Sequence, residues 1–274
     1  SIGKWITGSD AGNEMLLKPF GIAFDDSDNV CLTDSAAKAV CSFDRSKKKW
    51  VRWETIGKLR FISPVAVARH QGVFFVADSG LGAVVAFDDK GKLLFQITNK
   101  LERPAGLVVS GKRLFVVDSQ RHCVVAYDLG ARYLFEFGRR GPGAGEFNFP
   151  THIAADTIGE LYVTDSMNSR VTRFDHEGRF KNQIGGVGDG PGHFGRPKGV
   201  AVDTLGHVYV IDAMFDNIQI FDREGQFLLA LGGTGPEPGQ FWLPNGIAIN
   251  RQNEIFVADA YNRRVQVFRY IGQP

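Results

Sequence analysis

Residues able to do chemistry are few in this sequence, and most of them are histidines, carboxylates or cysteines. The six histidines are His70, His122, His152, His176, His193 and His207. A catalytic zinc takes three protein ligands and keeps one position open, so the question is whether any three of them can meet. Six aspartates, Asp34, Asp78, Asp118, Asp165, Asp212 and Asp259, recur at regular intervals, each after an apolar run and before Ser or Ala. A ring of carboxylates would suit a divalent ion. An Asp at a strand end before a turn, however, accepts hydrogen bonds from loop amides, and turn chemistry accounts for all six. The glycine-rich runs GRRGPGAGEFNFP, GGVGDGPGHFGRP and GGTGPEPGQFWLP look like phosphate cradles. None is followed by the Lys-Ser/Thr pair and helix that such a cradle needs. The three cysteines, Cys31, Cys41 and Cys123, show no metal-type clustering. Cys31 and Cys41 fall on adjacent strands, where a cross-strand disulfide and two small core residues both remain open.

The elements that must position these residues are short strands. From Phe149 to Gly186 the chain reads IAAD, LYVTD, RVTRFD and RFKNQIG, separated by turn residues, the pattern of a four-stranded antiparallel meander. The unit repeats. Pro150 has counterparts at Pro19, Pro64, Pro104, Pro197 and Pro244, and the third strand ends in Phe43, Phe87, Tyr127, Phe174, Phe221 or Phe268. A period in the forties with four strands per copy predicts blades around a central axis. The expected fold is therefore all-β, a six-bladed β-propeller of four-stranded antiparallel blades, with residues 1–274 forming a single domain. After Phe268 too little chain remains for an outer strand in the last blade, while Lys4-Trp5-Ile6 aligns with the outer strands of other copies. This N-terminal strand is expected to close the last blade. In the glycine-rich crossings, Phe147, Phe194 and Phe241 are expected to wedge between blades, with the glycines allowing a tight passage.

The run from Pro to Gly-Ile-Ala, then Tyr-Val-Thr-Asp-Ser-x-Asn-x-Arg-Val, then Phe-Asp-x-x-Gly, resembles the NHL repeat of six-bladed propellers. Pro150 to Asp175, Pro197 to Asp222 and Pro244 to Phe268 carry it, with His152 standing where the pattern has Gly. The first three copies have lost the loop Asn and Arg, which become Ala37 and Ala39, Leu81 and Ala83, and Arg121 and Cys123. The resemblance covers the whole chain and implies the fold. Function follows less directly, because NHL propellers include protein-binding platforms, RNA-binding domains and a few lyases or hydrolases. It also suggests a bacterial protein, with export to the periplasm or beyond favoured slightly over the cytoplasm and the compartment left open. No signal peptide is read in the sequence, which is expected to open on a strand, Ile2 to Thr7, so a leader removed by processing stays open. No apolar run approaches the ~18 residues of a membrane span, so membrane insertion is not expected.

In such a meander the loop after the second strand and the crossing to the next blade lie at one end. That end gathers the residues after each proline, Phe20, Val65, Ala105, Thr151, Lys198 and Asn245, with His152 one step further in. It also gathers the loop residues Met167, Asn168, Met214, Phe215, Tyr261 and Arg263. Half of the inner ring is polar and half apolar. The expected partner-binding residues are Thr151, His152, Lys198, Phe215, Asn245, Tyr261 and Arg263, which make a scaffold face for protein–protein interaction. Exposed aromatics and Arg are the residue types that anchor such interfaces.

Two other classes fit less well. Lyases that the resemblance brings in hold zinc with histidines from several blades, and gluconolactonase-like propellers hold a divalent ion with carboxylates and Asn; here only His152 reaches the inner ring. Neither a catalytic residue, a metal nor another cofactor is expected. RNA-binding NHL domains use a strongly basic face, whereas 32 basic residues against 30 acidic ones give a net charge of +2. The basic hairpin of Arg45 and Lys47 to Lys49 reads as a solvated turn. Nucleic acid is not the expected partner.

Overall fold

The computed structural model describes residues 16–269 together with the backbone of residues 5–7. Six four-stranded antiparallel sheets are arrayed about an axis, and a two-stranded ribbon, Thr55–Ile56 with Leu59–Arg60, lies between the first two. The all-β six-bladed propeller is thus the observed fold. Its only helical turn among the described residues is Ser166–Asn168.

The innermost strands begin at the repeated prolines: Pro19–Phe24, Pro64–His70, Pro104–Ser110, Pro150–Ala155 and Pro197–Val202, with Ile247–Ile249 following Pro244. The second strands, for example Val73–Asp78 and Val208–Asp212, are buried almost throughout. Neighbouring blades cover both of their faces, which is why they read as unbroken apolar runs rather than alternating ones. Outer strands such as Phe180–Ile184 have one wet face and mix exposed with buried positions. In blade 6, Trp5–Thr7 pairs antiparallel with Arg264–Arg269, Trp5 facing Gln266 and Thr7 facing Arg264. Lys4, the first residue of the expected closing strand, lies outside the described residues.

The repeated aspartates are staples. Asp34 accepts from the amides of Leu17, Lys18 and Ala37, and Asp78 does the same for Ile62, Ser63, Gly80 and Leu81. Each one ties the loop beyond its strand to the segment entering its own blade, so the backbone donors there are satisfied away from water. In blades 4 and 6 the staple gains an arginine. Arg170 is buried, pairs with Asp165 at 2.8 Å and donates to the carbonyls of Pro142, Gly143 and Glu146 in the preceding crossing. Arg264 repeats this with Asp259 and the carbonyls of Pro236, Glu237 and Gln240. Asn168 and Asn262 bridge Asp165 and Asp259 to the carbonyls of Gly141 and Gly235.

The wedge phenylalanines Phe147, Phe194 and Phe241 are fully buried, each contributing roughly 1.5–3 kcal/mol. They also explain their glycines. At Gly138, Gly185 and Gly232, where φ is +87°, +80° and +97°, a Cβ would lie 2.4, 2.2 and 2.4 Å from the corresponding ring. Cys31 and Cys41 form no disulfide. Cys31 stands opposite Ser42 and Cys41 opposite Leu32, and the two side chains enter different core clusters.

Candidate functional site: the axial mouth and its rim

At the proline end the inner strands come together tightly. A Cβ on Gly21, Gly106, Gly199 or Gly246 would lie 2.8, 2.6, 2.5 or 2.0 Å from the carbonyl oxygen of Val65, Thr151, Asn245 or Phe20, each in the next blade. The glycine position therefore allows one inner strand to lie against the next, and the residue after each proline borders the axis. The amide of Gly199 donates to the Asn245 carbonyl at 2.9 Å across the junction of blades 5 and 6. Phe20, Ala105, Thr151, Lys198 and Asn245 all keep partial solvent access, whereas Val65 is buried.

His152 takes the glycine position in blade 4, and its side chain goes into the axis. Its Nε2 lies 3.0 Å from Asn245 Oδ1 of blade 6, and its ring stacks on Phe20 of blade 1 at a centroid separation of 6.2 Å. Residues from blades 4, 6 and 1 thus meet through one imidazole. Burial first, then the positive charge of Lys198, pushes this imidazole down to about 3. A neutral imidazole carries one N–H. With Nε2–H donating to Asn245 Oδ1, Nδ1 is a bare acceptor, and it is buried without a partner among the described residues. Thr151 Oγ1 is likewise buried and unpartnered.

Lys198 lies on the next blade. Its carbonyl accepts from Thr164 Oγ1 at 2.7 Å, which fixes the backbone. Burial and the neighbouring Arg196 push the ammonium down to about 8, and no acid pairs with it among the described residues. Such a group is a charge partly withdrawn from water without a paired acid.

The rim around this mouth is apolar and exposed. Met167, Met214, Trp242 and Tyr261 are 66%, 65%, 53% and 49% accessible; the Trp242 and Tyr261 rings lie 5.9 Å apart, and the Lys18 ammonium sits 5.1 Å from the Tyr261 centroid. Arg263 is exposed on the same loop. Phe215 differs from expectation. It is half-buried, because it takes the place that Asn168 and Asn262 hold in the neighbouring blades and turns toward Gly195, where a Cβ would meet its ring at 3.0 Å. The structure therefore brings Thr151, His152, Lys198 and Asn245 together at the axis and leaves Tyr261 and Arg263 on the rim. Trp242, along with Phe149 and Ile62, was not among the expected residues. All three fall within two positions of a blade-opening proline, and that position is the missed signal.

The residues do not fit a metal. His152 is the one imidazole at the axis, its Nε2 is taken by Asn245, and among the described residues no three His, Cys, Asp or Glu side chains gather to hold an ion. His122, buried in the blade 3 loop, uses Nδ1 to accept the Phe149 amide. No helix of the described residues is long and apolar enough to cross a membrane.

Two family profiles match. Residues 155–218 match the DUF5128 family, described as a 6-bladed beta-propeller, and residues 241–268 match the NHL repeat. The NHL-type propeller resemblance read from the repeats is borne out. No curated protein matches in sequence. Among solved structures, a streptogramin B lyase superposes with a TM-score of 0.70 at 12% identity, covering 94% of this chain and 95% of its own. A gluconolactonase from Xanthomonas campestris gives 0.69 at 15% identity, with 92% and 86% covered. An auxiliary nutrient binding protein from Bacteroides thetaiotaomicron gives 0.71 at 16% identity, with 92% and 69% covered. At such identities the likeness is one of fold, shared by lyase, lactonase and binding protein alike.

Proposed function

We propose that this propeller is a non-catalytic binding platform that docks a protein partner on the end carrying the axial mouth. The observation that carries the reading is the contrast between its two ends. At the far end the charges are paired between blades: Arg69 with Asp25 at 2.7 Å, Arg223 with Asp156 at 3.1 Å, and Arg45 with Glu254 at 2.9 Å. Large apolar side chains there, such as Ile158 and Leu205, stand singly on separate turns. At the mouth end Met167, Met214, Trp242 and Tyr261 form a rim, with Arg263 beside them. Rim aromatics with an adjacent Arg are the composition of an interface core rather than of ordinary surface. The fold imposes no demand for them, since the staples below are complete without their side chains.

The test is affinity capture from the native source with two variants. Replacing Trp242, Tyr261 and Arg263 together by Ala is expected to abolish capture, each anchor being worth on the order of 1–3 kcal/mol. Replacing Ile158 and Leu205 is expected to leave it intact. The reverse pattern would move the interface to the far end.

A further inference from the structure

We propose that the polar half of the axial mouth captures the C-terminal carboxylate of a partner polypeptide. This rests on the docking reading above and names the part of the partner that enters the axis.

The site is defined by what its side chains lack. Lys198 offers an ammonium with no acid paired to it among the described residues, and the charge acting on it, that of Arg196, is also positive. Asn245 engages His152 through its Oδ1, which leaves its NH2 group as a donor for a ligand. Thr151 Oγ1 is a hydroxyl with no partner. These groups call for an anionic acceptor. His152 Nδ1 is a buried acceptor without a donor among the described residues, so the ring adds no positive charge to the site. Buried polar groups left unmet cost stability in proportion to their desolvation, and two of them lie within one turn of the same inner strand. The opposite wall, Phe20, Val65 and Ala105, asks for an apolar group.

The last residue of a polypeptide supplies this set. Its carboxylate accepts from Lys198 and Asn245, and an apolar side chain turns toward Phe20. Carboxylate capture of this type is a recurrent mode of peptide recognition. Inorganic phosphate brings acceptors but no apolar group. A free small acid could fill the mouth, yet it would leave Trp242, Tyr261, Met214 and Met167 uncovered, whereas a chain leaving the axis must pass over that rim.

The experiment compares two pools of labelled peptides about ten residues long, of random sequence and ending in Leu, Val or Phe, one as free acids and one as C-terminal amides, titrated by fluorescence anisotropy. The free-acid pool is expected to bind, and the amide pool to bind about tenfold or more weakly, the usual loss for a hydrogen bond to a charge. Lys198→Met should reduce the free acids to the level of the amides while melting normally, and Lys198→Arg should restore part of the difference. N-acetyl-leucine should bind far more weakly than the decapeptides. Equal binding of acids and amides, no binding of either, an acid preference that survives Lys198→Met, or N-acetyl-leucine binding as tightly as the peptides each overturn the proposal. Retained capture of the native partner alongside any of these results would leave the platform reading standing without it. Acid-dependent peptide binding with capture untouched by the rim variants would do the opposite.

Discussion

Blades 1 to 3 line the axis with Phe20, Val65 and Ala105, whereas blades 4 to 6 line it with Thr151, His152, Lys198 and Asn245. The positions are equivalent by the repeat, and both halves pack inner strands against one another in the same way, Gly21 on Val65 in one and Gly199 on Asn245 in the other. The fold therefore makes no demand for polarity at these sites, because the apolar half meets every structural requirement without it. Where one half departs, it leaves Thr151 Oγ1 and His152 Nδ1 buried and unsatisfied among the described residues, and the proposed ligand site gives that departure a use outside folding. Buried atoms without a partner among the described residues also occur elsewhere, at Trp50, Tyr162 and Thr172 for example, but at the axis two fall on consecutive residues of one inner strand, and such departures are expected at functional or strained sites.

Blades 4 and 6 also differ from the first three in their staples, and this yields the largest effect. Arg170 is buried and engages Asp165 together with three carbonyls, while Arg121 in blade 3 pairs with Glu136 at 3.1 Å near the surface. Arg170→Met should cost about 3–5 kcal/mol in urea unfolding, the usual price of stranding a buried carboxylate. Arg121→Met should cost less than about 1 kcal/mol. Equal losses would erase that distinction.

The acid side comes next. His152 titrates near 3 in the folded chain and near its ordinary 6.5 when unfolded, so the unfolded state holds more protons between those values. Stability must then fall as pH drops from about 6.5 toward about 3. His152→Gln should flatten part of that slope in melts at successive pH values, and an unchanged slope would mean that the ring is not held neutral.

How much of this was legible in the sequence differs by level. The blades were, because Pro150, Asp165 and Phe174 each enforce a local feature wherever the repeat places them. Phe194 was legible as a wedge because Gly185 stands at a fixed distance before it. The role of His152 was not, since its partners Asn245 and Phe20 lie in other blades and only closure of the ring brings them together. Phe215 was expected on the surface but fills the space of a missing Asn, a substitution whose consequence depends on Gly195 in the adjoining crossing. Trp242 went unread because its segment was assigned wholly to blade crossing.

A smaller effect has the opposite sign. The Lys198 ammonium is pushed from 10.5 to about 8 by burial and by Arg196. Below about 8 both states are protonated and the penalty is fully present. Between about 8 and 10.5 the unfolded state holds the extra proton, so stability rises with pH across that window. Lys198→Met should be stabilising at pH 7, by about 1 kcal/mol after allowance for its remaining solvent access, and should lack the alkaline rise. A destabilised Lys198→Met would place the ammonium in an unrecognised favourable contact.

Smallest of all is the effect of the rim on folding. Replacing both Trp242 and Tyr261 by Ala should change stability by no more than about 1 kcal/mol, since exposed side chains contribute little beyond their own contact. A loss of several kcal/mol on thermal unfolding would make that pair structural.

The most direct measurement is to give the polar half the residues of the apolar half, replacing Thr151→Val, His152→Ala, Lys198→Val and Asn245→Ala together, and to follow urea unfolding at pH 7 with peptide titration on the same sample. Removing both partners of the His152–Asn245 bond along with an uncompensated charge should leave the protein at least as stable as the parent, and preferential binding of free-acid peptides should disappear. A swapped protein that is clearly less stable, or that still prefers free acids, would contradict the claim that this half of the mouth is kept polar for a ligand.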